Sequence, residues 1–90
     1  MDCWIDVVDE PDRRVVRLAG RLGEPAVADL LRVCGGANAP VHVDLSDLFA
    51  ADAAGVHALY RLEQDGALLM SVPQYILLKL QRLKRDPTNV

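Results

Sequence analysis

"HVDLSDLFAADAAGVHALYRLEQDG", from His42 to Gly66, decides the fold of this 90-residue chain. It opens with an alternation of Val43 and Leu45 against His42, Asp44 and Ser46, which is the two-residue period of a half-buried strand. It closes with a helical pattern over about Ala53 to Asp65, stopped by Gly66. At 100° per residue, Gly55, Val56, Leu59 and Leu62 fall on one side of that helix. Ala54, His57, Ala58, Arg61 and Asp65 fall on the other. Asp52 stands where an N-cap accepts hydrogen bonds from the orphan N–H groups of the first turn. Gly55 lets the helix come close to a sheet.

Outward from this stretch the same two periods recur. "CWIDVV" (Cys3–Val8) and "RRVVRLAG" (Arg13–Gly20) flank the turn chemistry of "DEPD" (Asp9–Asp12) and read as a hairpin. "GEPAVADLLRVCGG" reads as a helix, with Pro25 in its first turn. Val27, Leu30, Leu31 and Cys34 form its apolar stripe, and Gly35-Gly36 supplies a left-handed cap. "ALLMSV" (Ala67–Val72) is continuously apolar and reads as a strand covered on both faces. Pro73 opens a last helix whose core stripe is Ile76, Leu77, Leu80 and Leu83. Tyr75 and Leu78 lie off that stripe, either at an interface or beneath the chain's last residues. The order is β-β-α-β-α-β-α over a single domain, residues 1–90, with the last residues, about 84–90, expected to form a flexible tail. Strands alternating with helices imply parallel pairing, and the hairpin makes the sheet mixed.

Composition narrows the function. Apolar residues reach 51% while aromatic residues are only 4%, so Leu, Val and Ala must fill the core. A net charge of -3 gives no support to nucleic-acid binding. Residues 1–12 carry five acids, and Lys79, Arg82, Lys84 and Arg85 crowd the other end. That basic end suits acidic lipid or an acidic partner, or complements its own helix dipole. No apolar run approaches the ~20 residues that span a bilayer, and Met1-Asp2-Cys3-Trp4 lacks the marks of a signal peptide. Cys3 and Cys34 are too few and too scattered for a disulfide framework or a zinc site.

The order and the motifs together resemble the STAS domain, the domain of anti-sigma factor antagonists and sulfate-transporter tails. The family pattern is a strand, D-L-S, a short connection, then D-S-S-G-L at a helix start. Asp44-Leu45-Ser46 and Asp52-Ala53-Ala54-Gly55-Val56 occupy those places, separated by the five residues 47–51. "VVRLAGRL" and "QDGALLMSV" extend the likeness over residues 13–83. The fold class implied is α/β, a single STAS-like domain with a mixed sheet.

Two departures matter. In regulated members the serine before the glycine accepts a phosphate from a partner kinase. That position is Ala54, so the phosphoacceptor is lost, and its neighbour Ala53 supplies no hydroxyl either. A phosphate there would bring about two negative charges; this surface stays in its uncharged form. Family members also usually continue with a further strand and helix.

The resemblance implies a non-enzymatic module that binds proteins. Its expected surface is Ser46, Asp47, Leu48, Ala53, Ala54, His57, Ala58 and Arg61, with Asp52 and Gly55 structural. Ala54 and Ala58, four apart, would form a flat outward stripe. The partner implied is an anti-sigma factor of the serine-kinase type. The alternative is a subunit of an ABC-type lipid-transport complex, binding the ATPase; a homodimer is compatible with either. The family likeness places the chain in a bacterial cytoplasm.

No cofactor, metal or catalytic group is expected. Asp44, Asp47 and Asp52 could hold a cation, but capping and turn formation account for them. His42 and His57 sit on different elements, outside any metal-ligand spacing. Ser46 is the nearest hydroxyl that phosphorylation could use instead, and loop hydrogen bonding is its plainer role. Cys34, at a helix C-terminus, lacks the dipole that activates thiols.

Overall fold

A computed structural model describes residues 3–36 and 39–85. The elements are β1 (Cys3–Glu10), β2 (Arg13–Leu22), α1 (Glu24–Gly35), β3 (Val41–Ala51), α2 (Ala53–Gln64), β4 (Leu68–Met70) and α3 (Gln74–Arg85). The expected β-β-α-β-α-β-α order is the one observed. The sheet runs β1-β2-β3-β4, with β1 antiparallel to β2 and the other pairs parallel. Two successive parallel crossovers that advance in one direction place α1 and α2 on the same face, and α3 packs beside α2.

The strands show which face is covered. Val16, Leu18 and Leu22 of β2 are fully buried, as are Val43 and Leu45 of β3. Leu30 of α1, Leu59 of α2, and Ile76 and Leu80 of α3 close the core from above. Among the described residues the opposite face carries no layer. This corrects the reading of Ala67–Val72 as a strand covered on both faces. Only Leu68–Met70 pair, at the sheet's edge, and Leu68 is 53% exposed.

Helix ends follow local chemistry. α1 begins at Glu24 with Pro25 in its first turn, and its own N-cap residue, Gly23, has no side chain with which to cap it. Its end differs from the expected left-handed cap: Gly36 has φ -88, and its N–H closes the last turn on the Arg32 carbonyl at 3.1 Å. Gly66, after α2, does take the left-handed side, with φ +105. In the expected flexible tail over residues 84–90, Lys84 and Arg85 belong to α3. Residues 86–90 lie outside the described residues.

Candidate functional site: the β3–α2 junction

The sequence alternation ends at Ser46, yet the strand does not. β3 continues to Ala51 through two register shifts against β2, one between Arg17 and Ala19 and one between Gly20 and Arg21. Each adds a residue to β3. Inward positions therefore step by two up to Leu45 and by three thereafter, to Leu48 and Ala51. At the first bulge the Ser46 N–H donates to Asp44 Oδ1 at 2.9 Å. This bond, then the Ser46 hydroxyl, and last the Arg17 guanidinium hold the Asp44 carboxyl below its ordinary range against a desolvation cost. α3 anchors the same stretch: Tyr75 Oη donates to the Leu48 carbonyl at 2.9 Å, and Lys79 Nζ to that of Ala51 at 3.4 Å.

Asp52 then ties three segments together. Its Oδ1 accepts from Gly55 N at 2.8 Å, its Oδ2 from Glu24 N at 3.3 Å, and its own N–H donates to the Leu22 carbonyl at 3.0 Å. One carboxylate thus serves the N-termini of α1 and α2 together. Gly55 is required by the same approach, because a Cβ there would meet Leu22 O at 2.5 Å. The methyl-rich helix start is the consequence of a backbone-to-backbone contact, fixed on one side by a cap.

Ser46, Asp47, Ala53, His57 and Arg61 are exposed, and Ala54 is half-buried at the second helical position. These form the outward shoulder of the junction. Two residues expected on that surface are not there. Ala58 is 4% exposed, not outward. It lies three residues after Gly55 and four before Leu62, both buried, so it shares their ridge. With α1 on one flank of α2 and α3 on the other, the covered arc exceeds the side facing the sheet. The flat Ala54–Ala58 stripe therefore does not exist. Leu48 is 2% exposed, turned inward by the first bulge. The bulged segment instead exposes Phe49, which no period in the sequence marked.

The titratable side chains of the junction stand apart from one another. His42 and His57 do not meet: one sits in β3 opposite Val15, the other on the outer side of α2. Asp44 and Asp52 are engaged with backbone N–H groups, and Asp47 lies in β3 opposite Ala19. Among the described residues no cluster of three or more His, Cys, Asp or Glu could hold a metal ion. Burial pushes the Cys34 thiol up to about 11, with Arg14 opposing the shift, and burial raises Cys3 as well. Both thiols are therefore protonated and poorly nucleophilic at neutral pH. A groove of about 660 Å³ runs between β1 and α1 to Asp52, lined by Ile5, Val7, Ala26 and Val33 among others. Among the described residues no helix is long and apolar enough to cross a membrane.

No protein-family model matches the sequence, and neither does any curated protein. Solved structures do match the fold. The antisigma-factor antagonist STAS domain from Rhodobacter sphaeroides superposes with a TM-score of 0.57 at 21% identity, over 76% of this chain and 83% of that one. The structure titled Mglu superposes with a TM-score of 0.61 at 21% identity, over 77% of this chain. The chain spans only 19% of the length of Mglu. At this identity the likeness is one of fold. The chain has a STAS-like fold, and the resemblance carried by D-L-S and D-x-x-G in the sequence is matched by the architecture around them.

Proposed function

We propose that the chain is a non-enzymatic protein-interaction module of the anti-sigma-antagonist kind, acting in a bacterial cytoplasm. The observation that carries this reading is the exposed shoulder at the start of α2, on a fold shared with an antisigma-factor antagonist. Ser46, Asp47, Ala53, Ala54, His57 and Arg61 compose that shoulder. Asp52 and Gly55 set it rigidly on the sheet, so docking carries little ordering cost. Ala54 has no hydroxyl, so a kinase cannot switch this position, and the surface is permanently competent to bind. Docking on an anti-sigma factor of the serine-kinase type is the first reading. The lost hydroxyl equally suits a constitutive subunit that clamps the ATPase of an ABC-type lipid transporter.

Affinity capture with the purified chain separates the two. Recovery of a kinase-type anti-sigma factor supports the first reading, and recovery of a transporter ATPase or permease the second. Recovery of neither, from lysate of the source cell, contradicts both.

A further inference from the structure

The helices cover one face of the sheet, and among the described residues nothing covers the other. Its residues follow from the register. Asp6, Arg17, Asp44 and Met70 form one row across the four strands. Val8, Val15, His42 and Leu68 form the next row. Trp4, Ala19 and Asp47 form a third, on the far side of the charged row. Trp4 is 66% exposed, Val8 54% and Leu68 53%, so large apolar side chains flank the charged row on both sides. Isolated exposed apolar residues need no explanation, but rows of them on one sheet face mark an interaction site.

The charge pattern identifies the occupant. The central row reads minus, plus, minus across β1, β2 and β3, and Arg17 Nε already stands 3.7 Å from Asp44 Oδ2. Two carboxylates in the row oppose an acidic membrane or nucleic acid. A second copy of the same face matches it. A two-fold axis parallel to the strands and between β2 and β3 reverses strand order and keeps each row in line. Arg17 of each copy then lies over Asp44 of the other, Val8 over Leu68, and Val15 over His42. Pairing through the open edge of β1 is disfavoured, because it would bring Asp6, Asp9 and Glu10 of both copies together. Strands spaced ~4.8 Å and about eight residues long give a footprint of roughly 500 Å² per copy. That is the lower end of a specific interface, so the dimer is a weak one.

We propose that the bare sheet face is a two-fold interface between copies of this chain, with reciprocal Arg17–Asp44 ion pairs and Val8 against Leu68. It lies on the opposite side of the sheet from the helices, so it does not depend on the docking function proposed for α2.

Sedimentation velocity over about 1 μM to 1 mM tests the proposal. The single Trp4 reports the same event, since its emission should shift to the blue as the dimer forms. The wild type should pass from monomer to dimer within this range. Val8→Glu and Leu68→Glu, on exposed sites and with circular dichroism unchanged, should each weaken association at least tenfold. Arg17→Glu should weaken it also and reverse its salt dependence, because an all-acidic row repels its copy and added salt screens that repulsion. Ala54→Glu should leave the dimer unchanged, which separates this interface from the α2 shoulder. A wild type that stays monomeric throughout overturns the proposal. So does a dimer that survives both folded Glu variants, because it would then form elsewhere.

Discussion

A methyl group at residue 55 would stand 2.5 Å from the Leu22 carbonyl oxygen, and backbone on both sides leaves nothing flexible to give way. Gly55→Ala should therefore destabilise the domain by about 2–3 kcal/mol, read by urea denaturation, although alanine ordinarily favours a helix. Asp52→Ala removes the acceptor for Gly55 N and Glu24 N; a loss of about 1–2 kcal/mol is expected, with Asp52→Asn losing less. Asp44 has a pH signature. Folding holds its carboxyl below the ordinary 3.8. The charged form thus contributes stability above the unfolded-state value, and that contribution disappears as pH falls through the folded-state value. Stability should drop over the interval beneath 3.8, and Asp44→Asn should make that drop shallower. An unaltered acid limb in Asp44→Asn would remove this carboxylate from the account. Asp9, lowered chiefly by its hydrogen bond from Arg14, acts in the same direction and window.

At the scale of elements, β3 separates what the sequence discloses from what it hides. Val41, Val43 and Leu45 keep the strand period and are buried as that period requires. Leu48 and Ala51 follow at three-residue steps because two bulges intervene, and a bulge leaves no periodic trace. The loop expected after Ser46 is strand for that reason. Ala58 departs from its expected outward place for another reason. A single methyl gains only about 0.8 kcal/mol on burial, so alanine marks neither face of a helix. Its burial is decided by α1 and α3 closing on both flanks of α2, a tertiary fact. Asp52, by contrast, was readable because capping is local. α3 also explains why the bulged strand holds its shape: Tyr75 Oη bonds the Leu48 carbonyl at 2.9 Å. Tyr75→Phe should cost about 0.5–1.5 kcal/mol in thermal or urea unfolding while leaving the helix content unchanged. A Tyr75→Phe protein as stable as wild type would mean that this bond contributes nothing net.

For the whole molecule, the fold separates two surfaces. The helical side seals the core and presents the α2 shoulder, and the other side of the sheet exposes Trp4, Val8 and Leu68. Among the described residues neither surface gathers a nucleophile with a base, and both thiols are buried and protonated. Specificity must therefore come from shape and from charge. Ala54→Glu introduces a permanent negative charge where the fold's regulated relatives are expected to carry a phosphate. It should leave stability within about 0.5 kcal/mol, since position 54 is half-buried at a helix N-terminus that favours acids. The decisive measurement is the affinity of the captured partner for wild type and for Ala54→Glu, side by side in one titration. Docking through the α2 shoulder predicts a loss of about 1–3 kcal/mol, roughly fivefold to 150-fold in Kd; equal affinity for a folded Ala54→Glu protein would contradict it.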